Sequence, residues 1–282
     1  MFSLKRTALF VTVLATFFCM LNPAMAADLS VKANSTKAGV SHVQVPYISG
    51  AVGGKQVDAA VNRAVFSYVN AQLKQLLSAE EVKTFDSVHQ DNGESDNMLH
   101  YNADLVKYTD KKLTAKSENG RITASWYVQS AYEVKTAKDT FYSVILKTKS
   151  YTGGPGNVME WKALNFDLRD GRLLELKDLF AAEADYATRL QTLIGYQQKG
   201  RARLLRHVKG KTVADPKPVT ITGQESFYVD DHYNLGVIIY SSKKNASVDA
   251  GNATEADTAD AGAKTMEVFD ISLNDFADLI KL

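Results

Sequence analysis

The segment FYSVILKTKSYTGGPGNVMEWKALNFDLRDGRLLELKDLF, residues 141–180, carries the clearest structural pattern in the chain. It predicts a strand at residues 141–149, a glycine-rich corner at residues 151–157, a second strand to Leu168, and a tight turn at Asp170-Gly171. Apolar residues alternate on both sides of the turn, and glycine takes the positive φ angle that a tight hairpin turn requires. We therefore expect a β-hairpin scaffold, and nothing in it has the residues of a catalytic machine.

Further strands of the same alternating type surround this hairpin. Residues 121–135 alternate apolar and polar side chains after the turn dipeptide Asn119-Gly120, and residues 98–108 are another candidate strand, after a loop at residues 86–96. Consecutive strands joined by short turns favour an antiparallel sheet with one covered face. Three later strands are expected at residues 227–229, 235–240 and 266–271.

Several stretches with a 3.6-residue period predict helices. Residues 57–77 place their apolar side chains on one side, and Ser78 followed by Glu81 has the capping-box spacing for a second short helix from Ala79. A further helix is expected at about residues 186–205. A last one should begin at Leu273, with Ser272 as its N-cap.

The first 27 residues have the organisation of a signal peptide. The basic residues Lys5 and Arg6 come first, and an apolar run follows at residues 8–21. The small residues of a cleavage site then stand at Ala24-Met25-Ala26. An uncleaved membrane anchor is the alternative, although the run is shorter than the 18 or so residues of a membrane span. Lipidation at Cys19 is disfavoured because the residues before it are not small. We expect an exported protein, periplasmic or extracellular, without a membrane span after signal cleavage.

Composition divides the rest of the chain into segments. Residues 28–41 are polar and small, which indicates a flexible leader. We expect an N-terminal α+β module at residues 42–135 and a C-terminal α+β module, continuous with the first, at residues 136–282. Residues 243–264 have almost no side chain that could be buried, and they predict a long mobile loop.

Cysteine usage and charge exclude several classes of function. Cys19 is the only cysteine, so the cleaved chain would have no disulfide, no thiolate nucleophile and no Cys-ligated metal. The signal contains two of the 33 basic residues and none of the 32 acidic ones, so the mature chain is nearly neutral and shows no basic funnel for nucleic acid. The basic run at residues 201–211 is either a patch for an acidic polymer or lipid headgroup, or a solvated helix end. We prefer the helix end.

No catalytic or metal-binding pattern stands out. The five histidines lack metal-ligand spacing, and a G-x-S-x-G elbow is absent. Asp230, Asp231 and His232 could form an acid–base cluster, but a polar hairpin turn explains them. The glycine-rich corner lacks the Lys-Ser/Thr of a phosphate-binding loop and precedes a strand. We therefore expect no catalytic residue, metal or cofactor. The acidic residues on or beside the hairpin fit charge alternation on a solvent-facing strand, and they are Glu160, Asp167, Asp170 and Glu175.

Four short motifs together resemble an exported bacterial domain of unknown function. They are Tyr151-Thr152-Gly153-Gly154, the strand from Leu164 to Leu168, Asp170-Gly171-Arg172, and Leu176-Lys177-Asp178-Leu179-Phe180. That domain forms the extracellular part of the lysozyme-sensing anti-sigma factor and is also appended to some peptidoglycan deacetylases. The phrase from Val45 to Gly50 and the helix with Val61-Asn62 are similar to the module that precedes it. The resemblance covers nearly all of residues 42–282.

The resemblance implies an α+β fold, an antiparallel β-sheet with helices packed on one face, extracytoplasmic placement, and a binding role in place of a catalytic one. Two features depart from the family. Pro155-Gly156 stands where the family usually has Ala-His, and residues 243–264 replace a Pro-Tyr and small-residue stretch. The ligand could therefore differ from the family's. A cytoplasmic sigma-binding segment and a deacetylase domain are both missing, which suggests the module alone.

Our first hypothesis is a non-catalytic binding module of the bacterial cell envelope that recognises a lysozyme-like protein or peptidoglycan. The candidate binding residues lie at the glycine-rich corner, where glycines allow close backbone approach and a tyrosine ring can anchor a ligand; they are Tyr151, Thr152, Gly153, Gly154 and Asn157. The alternatives are a wall-active hydrolase or esterase that uses carboxylates near this corner, and a structural envelope protein without a small ligand.

Overall fold

The computed structural model describes residues 29–89, 95–119, 125–138, 140–153, 156–209, 216–242 and 264–281. Four helices lie in this part of the chain: α1 (Lys55–Lys74), α2 (Ala79–Val88), α3 (Ser95–Asn119) and α4 (Tyr186–Lys209). Its strands are β1 (Ser30–Ala38), β2 (Ser41–Ser49), β3 (Tyr127–Lys138), β4 (Phe141–Tyr151), β5 (Val158–Asp167), β6 (Ser226–Val229), β7 (Asn234–Ser242) and β8 (Lys264–Ser272). The expected signal peptide, Gly154, Pro155 and residues 243–263 of the expected loop lie outside the described residues.

The strands form two sheets. The larger has the order β1-β2-β3-β4-β5 and the smaller the order β6-β7-β8. All neighbours are antiparallel except β2 and β3, which pair in parallel through His42–Gln129 and Val43–Ser130. The predicted α+β fold is confirmed, and antiparallel pairs dominate its sheets. The central hairpin is confirmed as well, because Phe141 pairs with Asp167 and Ser150 with Val158.

Residues 30–38, expected within a flexible leader, form the edge strand β1. The strand pairs along its whole length with β2, from Ser30–Ser49 to Ala38–Ser41. The leader prediction for these residues is therefore wrong. Their polar, small side chains suit an exposed edge strand as well as a mobile segment, and the pairing partner is visible only in the fold.

Residues 98–108 were expected as a strand and belong to helix α3 instead. Met98, Leu105 and Leu113 are buried at helical spacing. The buried face also contains polar residues, since Asn102 donates from Nδ2 to Asn70 Oδ1 at 2.7 Å and Asp110 accepts from the Ser41 backbone N–H at 3.3 Å. These buried polar side chains hide the helical period in the sequence.

Other local expectations agree with the structure. Ser78 and Glu81 form the expected capping box at the start of α2. Gly171 adopts φ +78° in the tight turn after β5, and its N–H donates to the Asp167 carbonyl. The closing helix is shorter than expected, a 3-10 turn at Leu273–Phe276 that Ser272 caps.

Helices α1 and α3 cover one face of the larger sheet. Their core includes Val61, Phe66 and Leu105 from the helices, with Val144 and Phe166 from β4 and β5. Asn62 joins α1 to β2, because it accepts from the Ile48 N–H at 2.8 Å and donates to the Ile48 carbonyl at 2.9 Å. No described helix is both long and apolar enough to cross a bilayer.

The smaller sheet packs on part of the opposite face. Its second face carries α4 and the 3-10 turn Leu176–Leu179, with a core that includes Leu190, Ile194 and Phe269. Between the two sheets lies a small cluster of buried apolar residues: Ile145, Ala163, Tyr228 and Ile238. Because β6–β8 reach only this far, the far half of the larger sheet has a face that neither helices nor strands of the described chain cover.

Helix α4 protects the edge of the smaller sheet. Gln197 Nε2 donates to the Asp270 carbonyl at 2.7 Å, and Arg201 Nη2 donates to the Val268 carbonyl at 2.8 Å. The Arg201 guanidinium also lies 4.6 Å from the centre of the Phe269 ring. Polar side chains thus occupy carbonyls that an exposed edge strand would offer to another strand. Arg201, the first residue of the basic run at residues 201–211, is therefore packed against the smaller sheet.

Candidate functional site

The glycine-rich corner stands at the end of the β4–β5 hairpin. Tyr151 is the last residue of β4, and Gly153 adopts φ +84°, a conformation that favours glycine. Tyr127 of β3 joins both sides of the corner, since its hydroxyl donates to Asn157 Oδ1 at 2.7 Å and its ring centre lies 6.3 Å from that of Tyr151. The structure thus brings together Tyr151 and Asn157, while Thr152 is exposed beside them.

Strand register extends this corner into a wider surface. Lys147 pairs with Trp161 and Lys149 with Met159 across β4 and β5, and alternation places them on the face opposite α1 and α3. The next strands add residues to the same face through the pairs of β3 with β4 and of β2 with β3. We call this surface the platform, and its members are His42, Gln44, Tyr127, Gln129, Lys147, Lys149, Tyr151, Met159 and Trp161.

The platform contains a shallow groove of about 380 Å³ between β2 and β5. Trp161 and Met159 line one end, and His42 and Gln44 line the other. His42 Nε2 and Ser35 Oγ are 2.9 Å apart. Aromatic and thioether side chains at one end and hydrogen-bonding side chains at the other can hold a ligand that has both apolar and hydroxyl surfaces.

An ion pair and an aromatic ring hold Lys147 of the platform in place. Lys147 Nζ lies 4.3 Å from the centre of the Trp161 ring and 2.5 Å from Glu133 Oε2. Lys135 Nζ is 2.6 Å from Glu133 Oε1. Hydrogen bonds from Lys135 and from Lys147 lower the pKa of the Glu133 carboxyl below its ordinary value. Since Glu133 stays ionised near neutral pH, Lys147 remains beside the indole ring.

Strand β5 is fixed from both sides where it carries Trp161. The Tyr240 hydroxyl of β7 bridges the Trp161 backbone, because it accepts from the N–H and donates to the carbonyl, each at 2.6 Å. On the helix side, the Tyr68 hydroxyl donates to Glu160 Oε1 at 2.8 Å. Burial raises the pKa of Tyr68, and the bond to Glu160 raises it further. The tryptophan therefore lies on a rigid part of an edge strand.

The carboxylates considered for an enzyme do not converge. Glu160 faces the helices, whereas Asp167 lies at the other end of β5, where Arg169 binds it with Nη2 to Oδ2 at 2.6 Å. The Arg169 guanidinium lowers the pKa of Asp167. Seven residues of extended strand separate the two acids by about 23 Å. Catalytic carboxyl pairs of glycosidases lie about 5–9.5 Å apart.

The remaining acidic residues of the hairpin have local roles. Asp170 Oδ1 accepts from the Arg172 N–H at 2.9 Å, and Glu175 Oε2 is 2.6 Å from Lys177 Nζ. These contacts fix the turn after β5 and the start of the following 3-10 turn. They leave the acids far from the platform, which lies at the opposite end of the hairpin.

Asp230 caps the turn between β6 and β7, as the sequence predicts. Its carboxylate accepts from the backbone N–H groups of His232 and Asn234, each at 2.8 Å, and from Asn234 Nδ2 at 3.0 Å. Burial raises the pKa of Asp230, but these hydrogen bonds lower it by more. Among residues that the structure describes, no group of three or more His, Cys, Asp or Glu side chains is arranged to hold a metal ion.

Sequence patterns alone do not predict most of the platform. Trp161 and Tyr127 lie in strands that these patterns predict, and alternation could have placed each on one face of its own strand. Their proximity to Lys147 and Gln44, however, depends on the register between strands. The parallel pairing of β2 with β3 also brings His42 and Gln44 to this face, and no local pattern indicates that pairing.

The solved structures that are similar to this chain include two members of the DUF3298 family. The crystal structure of a member of the DUF3298 family from Bacteroides fragilis has a TM-score of 0.47 and 13% identity, over 90% of this chain and 93% of that one. A DUF3298 family protein from Pseudomonas aeruginosa has a TM-score of 0.43 and 12% identity, over 90% and 94% of the two chains. No family model and no curated protein matches the chain.

Proposed function

We propose that this protein is an extracytoplasmic binding module of the bacterial cell envelope, and that its platform holds a peptidoglycan glycan strand. The observation that carries the proposal is the platform itself, a rigid open sheet face with three aromatic side chains, Tyr127, Tyr151 and Trp161, beside lysine and amide side chains. Such a surface needs little reorganisation to bind an extended chain.

The side chains of the platform match the chemistry of an amino-sugar chain. Aromatic rings pack against the apolar C–H faces of sugar rings, while amide, imidazole and ammonium groups bond to hydroxyls and acetamido groups. Gln44 and Gln129 supply both donors and acceptors. The groove runs across β2 to β5, so four strands at about 4.8 Å spacing provide a path of roughly 15 Å. That length accommodates a short oligosaccharide.

The charge of the platform favours an acidic glycan. Lys147 and Lys149 project from β4, and the nearby acid, Glu133, is shared between Lys135 and Lys147. Peptidoglycan carries carboxylates on its lactyl groups and stem peptides, which can pair with these ammonium groups. A protein partner would need an acidic patch to bind here, so the charge supports the glycan over a protein with a basic surface.

The sequence supports the location and the binding role. The first 27 residues have the pattern of a signal peptide, which directs a chain out of the cytoplasm. The motifs from Tyr151 to Phe180 resemble the extracellular domain of the lysozyme-sensing anti-sigma factor and the accessory domain of peptidoglycan deacetylases. The platform includes Tyr151, the first residue of those motifs.

Co-sedimentation with purified peptidoglycan sacculi tests this function. We expect the wild-type protein to pellet with sacculi, and Trp161→Ala and Tyr151→Ala each to lower the affinity about fivefold or more, as for anchor residues at other interfaces. Tyr196→Ala is the matched control, because Tyr196 is an exposed tyrosine of α4 away from the platform. Equal pelleting of all variants, or none by the wild type, would refute the proposal.

The enzyme alternative has its own measurement. Glu160→Gln and Asp167→Asn each remove one of the two hairpin carboxylates that the enzyme alternative would use. If release of labelled fragments from sacculi by the wild type fell at least tenfold in either variant, the protein would be a wall-active hydrolase and the binding role would be secondary. We expect no such release from any of the three proteins.

A further inference from the structure

A second concave site lies at the opposite end of the β4–β5 hairpin from the platform. It is a cleft of about 330 Å³ where the end of β3 and the turn after β5 meet the turn between β6 and β7. This volume lies at the lower end of the roughly 300–1,000 Å³ that small-molecule sites occupy. We call it the turn cleft.

The turn cleft combines an apolar floor with a charged rim. Phe141, Leu174, Val229 and Leu273 provide apolar surface from four different segments. Around them stand the cationic side chains Lys138, Arg169, Arg172 and Lys281, together with four aspartates. Convergent polar groups beside an apolar surface are a feature of sites for small organic ligands.

The aspartates of the rim are occupied by contacts within the protein. Asp167 pairs with Arg169, and Asp178 lies 3.1 Å from Arg172 Nη1 and accepts from the Glu175 N–H at 2.9 Å. Asp230 caps its own turn, as described above. Asp231 lies 3.4 Å from Lys138 Nζ. Three of these acids therefore hold Lys138, Arg169 and Arg172 in position around the cleft.

The cations retain hydrogen-bond donors for a ligand. Arg169 uses Nε and Nη2 for Asp167, and the side chain is still 67% exposed. A guanidinium has five N–H donors, so donors remain after this pairing. Lys281 adds an ammonium group on the same rim. The remaining N–H donors of the turn cleft can therefore bond to an acceptor on a ligand, and an anionic acceptor bonds to them most strongly.

Tyr233 has an unusual conformation at the rim of the turn cleft. Its φ is +59°, and it is the only residue other than glycine with positive φ in the described part of the chain. The residue is 72% exposed, so packing of its side chain does little to offset the cost of the positive φ angle. Asn or Gly would fit this backbone better. A strained, exposed tyrosine at a concave site is consistent with ligand contact.

We propose that the turn cleft binds a small organic anion with an apolar body, such as an aryl or alkyl carboxylate or sulfonate. The apolar body lies on Phe141 and Leu174, the Tyr233 ring covers its outer side, and the anionic group bonds to Arg169 and Lys281. This site is separate from the platform and does not depend on glycan binding.

Titration with 1-anilinonaphthalene-8-sulfonate tests the proposal, because this fluorescent probe is an aromatic body with one anionic group. Its uncharged analogue N-phenyl-1-naphthylamine lacks only the sulfonate. We expect a single site for the sulfonate, with amide chemical-shift changes at Phe141, Val229 and Leu273, and at least fivefold weaker binding of the uncharged analogue. Equal affinity for both probes, or shifts confined to other regions, would overturn the assignment.

Substitutions of Tyr233 and Lys281 distinguish contact with the ligand from a role in stability. All variants are compared with wild-type protein that has the same N-terminus. Tyr233→Asn should leave the melting temperature unchanged or higher, because Asn tolerates this backbone, yet weaken the sulfonate about fivefold. Lys281→Ala should weaken it about threefold and leave the uncharged probe unaffected. Tyr196→Ala, at another exposed tyrosine, is the control. Affinities within 1.5-fold of wild type in both variants would refute the site.

Discussion

At the scale of single residues, buried amides determine how neighbouring elements meet. Asn165 of β5 is 1% exposed, accepts from the Ser143 hydroxyl at 2.7 Å, and donates to the Phe227 carbonyl at 2.6 Å. The second bond crosses from the larger sheet to β6. Since a buried polar group without a partner is costly, these contacts specify where the smaller sheet docks.

Asn165→Leu should therefore lower the free energy of unfolding by about 2–4 kcal/mol, because the Ser143 hydroxyl and the Phe227 carbonyl lose a buried partner. Urea unfolding followed by circular dichroism measures the change. Asn274→Ala, at an exposed asparagine, is the control and should stay within about 0.5 kcal/mol of wild type. A loss below 0.5 kcal/mol in Asn165→Leu would show that this bond does not fix the sheets.

Replacing glycine with alanine should have opposite effects on stability at Gly153 and at Gly200. Gly153 has φ +84° at the corner, whereas Gly200 lies within α4, and a Cβ there would meet no atom within 4 Å. Gly153→Ala should destabilise the fold by about 1 kcal/mol, because alanine is strained at positive φ. Gly200→Ala should stabilise it by about 0.5–1 kcal/mol, because alanine favours the helix. Thermal unfolding measures the change in stability of each variant. A change of the same sign in both would contradict the positive φ angle at the corner.

At the scale of elements, β5 is the edge strand that presents the platform. Tyr240 occupies the outward N–H and carbonyl of Trp161, and Ser226 Oγ accepts from the Ala163 N–H at 2.9 Å. Side chains from the smaller sheet thus cover the edge near the tryptophan. This arrangement holds Trp161 in a fixed position and limits pairing with a foreign strand.

Tyr240→Phe removes only the hydroxyl that bridges the Trp161 backbone. We expect a loss of about 0.5–1.5 kcal/mol in stability, the usual net value of a hydrogen bond. Amide hydrogen exchange of Trp161 should become at least several-fold faster, while exchange in α1 stays as in wild type. Unchanged exchange at Trp161 would show that the edge is protected by other contacts.

The ion pairs on β3 and β4 give the platform a pH dependence. The pKa of Glu133 is lowered in the folded state, so its stabilising contribution is complete above the ordinary pKa of about 4.3 and is lost as the pH falls through the lowered value. The wild type should therefore exceed Glu133→Gln in stability at pH 7, and the gap should narrow by pH 3. Urea midpoints at both pH values measure it. A constant gap would contradict a charge-dependent role.

Sequence patterns predicted elements with strong local signals. The hairpin from Phe141 to Asp167, the helices α1, α2 and α4, and the capping box at Ser78 follow from periodicity and turn chemistry. The predictions for two elements were wrong for identifiable reasons. The face of α3 that packs inward carries Asn102 and Asp110, and β1 is a polar edge strand that only pairing with β2 stabilises.

The candidate site was predictable only in part. The corner residues Tyr151 and Asn157 lie together, as expected for two ends of one turn. The groove beside them depends on non-local pairings, most of all on the parallel contact of β2 with β3 and on the point where the smaller sheet stops covering the larger one. Such features arise from docking between distant segments, and periodicity within one segment does not encode them.

At the scale of the whole molecule, two hydrophobic cores share one hairpin. Alternate residues of β4 and β5 face the helices α1 and α3 on one side and the smaller sheet on the other. The smaller sheet covers only the half of that second face near the β6–β7 turn. The protein therefore offers two surfaces at opposite ends of the hairpin, the platform and the turn cleft.

NMR titration of the isotopically labelled protein with soluble, lysozyme-generated peptidoglycan fragments would show directly whether the platform binds peptidoglycan glycan. We expect saturable shifts of the Trp161 indole N–H and of the amides of Tyr127, Gln129 and Lys149, and their loss in Trp161→Ala. Shifts confined to α4 or to the turn cleft, or no shifts at millimolar fragment concentrations, would refute glycan binding at the platform.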